Sequence, residues 1–318
     1  MSKIAVHVVT YNSSETITIC LRALLEQDTE FSLCIVDNAS TDSTVEQIRA
    51  LGLPVQVNIE NVGYSAAHNL ALKATDSEFV LTLNPDVLLQ PGYLKAMLDT
   101  LERDHRLGSA AGCLLRVESL EGTPHTIDSI GVYMRCNRRQ GLLKENAPIA
   151  DVPLEAQPIF GPDGAAAFYR RAMLEDIAVE GEIFDEDFFM HKEDIDICWR
   201  AQLAGWTSTF QPDARAHHIR RFRPNQRQRV DPQLRMFAVR NRYLLMLKNE
   251  IPRLFWRDIV RIVVYDLAVL AYILLREPAS LRGLASAWAL HKRMLHKRRL
   301  IQGRRRVDAE KLAPLFVQ

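Results

Sequence analysis

The side chains best suited to chemistry are concentrated between residues 189 and 218. Phe189-Met190-His191-Lys192-Glu193-Asp194-Ile195-Asp196 sets three carboxylates where a helix is expected to begin, and His217-His218 follow one strand later. A carboxylate can take the proton of an attacking hydroxyl, and a neutral imidazole can ligate a metal. The same acids would serve equally well in a first helical turn, where free N–H groups and the helix dipole favour negative charge. Of two adjacent histidines in a strand, one points away from the other's site.

A second set of polar residues recurs just after short apolar runs: Thr10-Tyr11-Asn12, Asp37-Asn38-Ala39-Ser40-Thr41-Asp42, Asn61-Val62-Gly63-Tyr64 and Asn84-Pro85-Asp86. In open α/β sheets, ligands bind beyond the carboxyl ends of the strands, which is where such residues would lie. Asp37 could accept a hydrogen bond from a pyrimidine ring N–H, and Tyr11 offers a flat face with a hydroxyl. Asp86 supplies the hard oxygen that magnesium or manganese prefers when it bridges two phosphates. The competing reading is that Asp37, Ser40 and Asp42 cap the next helix and Asn-Pro-Asp is a turn. No GxGxxG follows the first apolar run and no GxxxxGK[ST] occurs, which argues against dinucleotide oxidoreductases and P-loop enzymes.

These loops need a scaffold, and the first hundred residues have the rhythm of βαβ units. Strands are expected over Ile4–Val9, Ser32–Val36, Pro54–Asn58, Glu78–Leu83 and Ser109–Cys113, with helices over Ser14–Glu26, Asp42–Ala50, Ser65–Ala74 and Gly92–Arg103. Residues 116–157 lack periodicity and read as a loop-rich excursion or small hairpin. With 318 residues and 47% hydrophobic content, the chain can bury a large core. Its five cysteines are scattered without a CxxC pair and no secretory leader is evident, so a reducing cytoplasmic location is expected and a cysteine zinc site is not.

In order, Val8-Val-Thr-Tyr-Asn12, Ile35-Val-Asp-Asn-Ala-Ser-Thr-Asp42, Asn61-Val-Gly-Tyr-Ser-Ala-Ala-His-Asn69, Leu83-Asn-Pro-Asp86, Phe184-Asp-Glu-Asp-Phe-Phe189 and Glu193-Asp-Ile-Asp-Ile-Cys-Trp-Arg200 resemble the motifs of glycosyltransferase family 2. More narrowly, they resemble its rhamnosyltransferase-like branch, which builds bacterial surface polysaccharide. The resemblance covers about residues 3 to 220. It implies a nucleotide-diphospho-sugar transferase fold of GT-A type, a Rossmann-like and mostly parallel α/β sheet, with inverting chemistry. On this basis Thr10, Tyr11, Asn12 and Asp37 would contact the nucleotide, while Asn61, Gly63, Asn69 and Asn84 shape its pocket. Asp86 would hold ribose and a Mg2+ or Mn2+ ion on the diphosphate, with His218 as a further metal ligand. Asp194 would be the catalytic base, and Gly164, Glu193 and Asp196 would lie by the donor sugar or acceptor. Asn84 departs from the family's pattern, standing where the first acid of its DxD element is expected. Asp163 reads either as a pocket residue or as a plain turn.

The expected activity is therefore transfer of a sugar, rhamnose from dTDP-rhamnose or a sugar from a UDP-sugar, to a hydroxyl of a glycan or lipid-linked glycan. Two alternatives are a nucleotidyltransferase that makes the activated sugar and a non-catalytic scaffold of the same fold. The nucleotidyltransferase usually carries an early glycine-rich phosphate loop that Thr10–Ser14 lacks.

Charge divides the chain in two. Residues 219–318 carry 23 Lys and Arg against 7 Asp and Glu, a net +16, which leaves −15 on residues 1–218. A catalytic domain over 1–220 and a helical, basic region over 221–318 are expected. Helices are predicted over Leu254–Leu275 and Leu281–Leu300. The first is interrupted by Arg257, Asp258, Arg261 and Asp266, so its apolar stretches fall short of a membrane span. Apolar and aromatic residues mixed with this charge suit the surface of an anionic membrane, at the inner face of the cell membrane. Packing against the catalytic domain or in a homodimer is the rival reading. Nucleic acid is disfavoured because no nucleic-acid fold signature accompanies the charge.

Overall fold

The computed structural model describes residues 2–220 and 230–317. Its centre is a twisted sheet built from β1 (Ile4–Thr10), β2 (Phe31–Asp37), β3 (Gln56–Val57), β4 (Phe79–Leu83), β5 (Val87–Leu89), β6 (Leu107–Arg116) and β7 (Thr126–Ser129). Every residue of β1 and β4 is buried, as befits parallel strands covered on both faces. The helices α1 (Ile17–Leu25), α2 (Thr44–Ala50), α3 (Tyr64–Ala74) and α4 (Tyr93–Arg103) provide that cover, so the expected βαβ rhythm is present. Expected and observed boundaries differ mostly by one to three residues, because side-chain pattern marks an element's interior better than its ends.

Residues 116–157 are more ordered than their sequence suggests. They contain β7, which pairs with β6, and a hairpin of β8 (Val132–Arg135) and β9 (Gln140–Leu142). Next come β10 (Gln157–Ile159), β11 (Ala166–Arg170), α5 (Arg171–Asp176), α6 (Glu193–Leu203) and β12 (Thr207–His218). The sheet runs β10-β12-β6-β11-β4-β1-β2-β3, with β11 antiparallel between β4 and β6. Two consequences matter for function. The start of β11 lies beside the end of β4, and the end of β12 lies beside β5, just past Asp86.

The C-terminal part comprises α7 (Pro232–Asn249), α8 (Pro252–Arg276), α9 (Leu281–Gly303), α10 (Ala309–Leu312) and β13 (Phe316–Val317), which joins β8. The expected boundary after residue 220 falls at 221–229, outside the described residues. Beyond it, the helices do not form a detached extension. Trp199 and Cys198 of α6 share one apolar core with Leu244, Leu245, Ala287, Met294, Ile301 and Phe316. Two fully buried lysines fasten the same contact. Lys248 binds Asp185 and Asp196 at 2.5 and 2.8 Å, and Lys297 binds Asp185 and Asp187 at 2.6 and 2.9 Å. Part of the positive charge in the tail is thus internal. Among the described residues, no helix is long and apolar enough to cross a membrane.

Candidate active site

The loops after β1 and β2 are laced together. Thr10 Oγ1 donates to Asp37 Oδ1 at 2.7 Å, and Asp37 also accepts from the Ser40 N–H and hydroxyl at 2.8 and 2.6 Å. Both Thr10 and Asp37 are fully buried. In this structure they brace the loop that joins β2 to α2. Asn12 ties the two loops by accepting from Thr41 N–H at 2.9 Å. Tyr11 projects outward at 51% exposure, a flat face available to a planar ring. Asn61 accepts from Gly63 N–H at 2.9 Å, and Gly63, at φ 88°, lies so close to Phe189 that a side chain there would collide with it.

Asn69 is engaged within the protein. Its amide donates to Phe184 O at 2.8 Å and to Glu186 at 3.0 Å, and its oxygen accepts from Phe184 N–H at 2.9 Å. Asn69 thus anchors the 184–186 loop behind Gly63 and Phe189.

At the end of β4, Asp86 meets His218. The β5–β12 pairing sets His218 opposite Val87, and Ile219 N–H donates to Asp86 O at 3.1 Å. His218 Nε2 then lies 3.7 Å from Asp86 Oδ1, too long for a hydrogen bond. Its other ring nitrogen, Nδ1, contacts Asp128 Oδ2 at 2.8 Å. The buried oxygens Asp86 Oδ1 and Asn84 Oδ1 have no hydrogen-bond partner among the described residues. His217 turns the other way, with Nδ1 2.8 Å from Leu120 O and Nε2 3.3 Å from Gln90, as alternation along a strand requires.

Asp128 had no signal in the sequence, because it sits on a four-residue strand in a stretch without periodicity. Fully buried, it also accepts from Arg116 at 2.7 Å and from Arg220 at 2.9 Å. Arg220 reaches on to Asp163. Burial alone would raise the Asp128 carboxyl, but His218 and then Arg220 hold it far below its ordinary range. Asp163 also caps its own turn by accepting from Ala165 N–H at 2.9 Å, so the turn reading and a charged role both apply to it.

On the other side of that turn lies Asp194. Its Oδ2 accepts from Gly164 N–H at 3.1 Å and its Oδ1 from Ile195 N–H at 2.7 Å. A Cβ on residue 164 would stand 3.1 Å from Asp194 Cβ, so glycine lets the backbone approach the carboxylate. The acidic segment starts from a contorted loop in which Phe189, His191 and Lys192 all have positive φ (61°, 67° and 73°). Asn241 of α7 steadies that loop, donating to the carbonyls of Phe188, Met190 and His191 at 2.9, 2.8 and 2.7 Å. Burial, reinforced by the negative charge of Asp163, raises Asp194 to about 6. Burial and the neighbouring Asp194 raise Glu193 to about 8, and Glu193 Oε2 has no partner among the described residues. Of the two, Asp194 is the better-supported carboxylate, because it accepts two backbone N–H bonds while Glu193 Oε2 accepts none.

Asp196 is a correction, since it does not face a sugar site. Fully buried, it accepts from Arg200 and Lys248, each at 2.8 Å, and from Asn249 at 2.7 Å. Lys248, Asn249 and Lys297, which hold the acidic segment from behind, were not singled out in the sequence. Their partners lie 52 to 112 positions away, beyond any local pattern.

The two halves of the site touch through backbone. Asn84 N–H donates to Ala165 O at 2.8 Å, one residue from the Gly164 N–H that binds Asp194. The profile of "Glycosyl transferase family 2" matches residues 5–178, more than half of the chain. The chain belongs to that family. It is 31% identical over 184 residues to poly(ribitol-phosphate) beta-N-acetylglucosaminyltransferase TarS of Staphylococcus aureus, a match covering 55% of this chain and 29% of TarS. The match therefore spans under a third of that relative's length. To the N-acetylglucosaminyl-diphospho-decaprenol L-rhamnosyltransferase of Mycobacterium tuberculosis it is 27% identical over 237 residues, covering 66% of this chain and 74% of the other. Among solved structures, the mannosyltransferase PcManGT from Pyrobaculum calidifontis, in complex with GDP-Man and Mn2+, superposes with a TM-score of 0.55 at 17% identity over 95% of this chain and 86% of that one. The shared architecture is the GT-A fold.

Proposed function

We propose that the transferase moves a sugar from a nucleotide-diphosphate donor to a hydroxyl of a glycan or lipid-linked glycan acceptor, in one displacement that inverts the anomeric centre. The observation that carries this reading is the short path from the Asn84–Asp86 turn through Ala165 and Gly164 to Asp194. This path supports a base at Asp194, raised to about 6, acting with the unpaired oxygens of Asn84 and Asp86, which suit a cation that would carry the diphosphate. Attack on the anomeric carbon needs both, because proton loss from the acceptor accompanies charge growth on the leaving diphosphate. Asp194 takes the acceptor proton on a carboxylate lone pair that its two backbone bonds leave open, and Gly164 N–H and Ile195 N–H hold the carboxylate in place. Tyr11, exposed at the rim, stacks on the nucleotide base, with Asn12, Asn61 and Gly63 fixing the loop geometry around it.

Asp86, assisted by His218 through Nε2, would hold a Mg2+ or Mn2+ ion, and Asn84 Oδ1 adds a neutral oxygen nearby. The donor set fits a hard cation that takes one or two protein ligands and completes its shell with substrate phosphates and water. When bound, such an ion supplies positive charge that stabilises the departing diphosphate. Asp128 fixes His218 by its Nδ1, which turns Nε2 toward Asp86.

The donor we favour is dTDP-rhamnose, with a UDP-sugar as the second choice. The rhamnosyltransferase-like motifs and the name of the mycobacterial relative support the first, and the name of TarS supports an N-acetylglucosamine donor. A lipid-linked acceptor would put the enzyme at the inner face of the cell membrane. A thermal-shift screen of dTDP-, UDP- and GDP-sugars, each with and without Mn2+, tests the reading. One donor should stabilise the chain, more so with Mn2+, and Asp86→Asn should remove the Mn2+ increment. Stabilisation by no nucleotide sugar would overturn the donor site, and an Mn2+ increment that survives Asp86→Asn would overturn the metal assignment.

A further inference from the structure

The helix α8 has an outer face that the rest of the fold leaves uncovered. Leu254, Ile262 and Ile273 point inward, whereas Trp256, Val260 and Leu267 are 70%, 73% and 60% exposed. Val263, Val264 and Leu274 are exposed with them, and the spacing of three and four residues places all six on one helical stripe. Beside the stripe, α7, α8 and α9 enclose a groove of about 420 Å³ lined by Met246, Leu247, Phe255, Ile259, Val263 and Leu295. Trp288 of α9 adds a second exposed indole at 73%. An apolar surface of this extent on a soluble fold marks a contact site.

The charge around it selects the partner. Between residues 251 and 303 there are ten Lys and Arg and three acids. Each acid is engaged by the protein itself: Asp258 with Arg138 at 2.8 Å, Asp266 with Arg242 at 2.8 Å, and Glu277 with Arg235 at 3.6 Å. What faces outward is therefore net cationic: Arg257 and Arg261 share Asp258 with Arg138, Arg253 pairs with Glu310, and Lys292 and Arg299 are exposed on α9 with Trp288. A two-fold contact with a second copy would set these basic rims against each other. We infer that the α8 stripe and its groove dock onto an anionic lipid bilayer, with α8 lying in the interface plane, the two tryptophans at headgroup depth and the arginines on lipid phosphates. The groove is open to hydrocarbon from the same side. This inference rests on the lipid-linked reading of the acceptor only for its purpose, since docking needs no catalysis.

Co-sedimentation of the full chain with phosphatidylglycerol/phosphatidylcholine vesicles and with phosphatidylcholine vesicles tests it. Binding to the anionic vesicles should exceed binding to the neutral ones at least tenfold. The double variant Val260→Glu/Leu267→Glu should lose at least tenfold of that binding while keeping its thermal midpoint, because both side chains already face solvent. Asp194→Asn should bind vesicles like the parent, so that failure of docking and failure of the transferase reading are seen separately. Equal binding by parent and double variant would overturn the inference, as would equal binding to both vesicle types. So would light scattering that shows a dimer in the parent and a monomer in the double variant, because the stripe would then belong to a second copy.

Discussion

If Asp194 is the base, the pH dependence of transfer carries its signature. The carboxyl is raised from 3.8 to about 6 by burial and by Asp163, and a general base must be ionised to act. Activity therefore falls as pH drops through about 6. Ionisation is nearly complete at about pH 7.5 and is down to roughly one part in eleven at about pH 5, so kcat/KM should fall about tenfold over that interval. A carboxyl left at 3.8 would remain more than about nine-tenths ionised at pH 5 and show no such fall. Glu193→Gln should leave the limb where it is, because Glu193, at about 8, still carries its proton while Asp194 titrates. Asp163→Asn should move the limb to lower pH, since it removes a negative neighbour and frees the charge of Arg220. Asp194→Asn keeps one backbone hydrogen bond, loses the base, and should cost about 10²- to 10⁴-fold in kcat, or about 3–5 kcal/mol in the barrier, with donor affinity preserved. Initial rates of nucleotide-diphosphate release across pH, paired with calorimetric donor binding, provide the assay. An Asp194→Asn chain within tenfold of the parent, or a parent profile flat between pH 5 and 7.5, refutes the assignment.

Two further substitutions probe the surroundings of the site. Asp128→Asn removes the charge that fixes His218 and pairs with Arg116 and Arg220, so activity should drop about 10- to 100-fold and more Mn2+ should be needed for half-maximal rate; a loss of stability with unchanged Mn2+ dependence would make Asp128 a structural anchor alone. Lys297→Met strips a buried cation from Asp185 and Asp187, and should cost about 3–5 kcal/mol in urea unfolding; a loss below about 1 kcal/mol would show that those carboxylates re-pair elsewhere.

Different parts of this arrangement were legible to different degrees, for physical reasons. The strands β1 and β4 announce themselves because a parallel strand covered on both faces is an unbroken apolar run, and the loops that follow them are polar because they end at solvent. Asp86 and His218 were paired in the sequence only through a family resemblance, and their meeting depends on β12 running antiparallel to β5. Asp196 shows a signal that was present and not used. Two positions apart on a helix means about 200° of rotation, so Asp194 and Asp196 cannot both face one pocket. Asp128 offered nothing comparable, because its partner stands 90 residues away and its strand is too short for a pattern.

The C-terminal helices show what a division by charge leaves out. Three left-handed residues in the 189–192 loop each cost about 1 kcal/mol or more, and such a loop persists only where its surroundings over-determine it. Those surroundings belong largely to the C-terminal helices: Asn241 holds three loop carbonyls, Arg240 binds the carbonyls of Asp187 and Phe188 at 2.7 and 2.8 Å, and Lys248 with Lys297 neutralises Asp185 below them. The net positive charge of residues 219–318 is therefore of two kinds. Its inward members complete the acidic front half and set the direction of the helix that presents Asp194. Its outward members, on α8 and α9, outnumber the acids that answer them, with Arg138, Arg257 and Arg261 sharing Asp258, and they border the uncovered apolar stripe. One composition bias thus serves two interfaces, and only burial tells them apart.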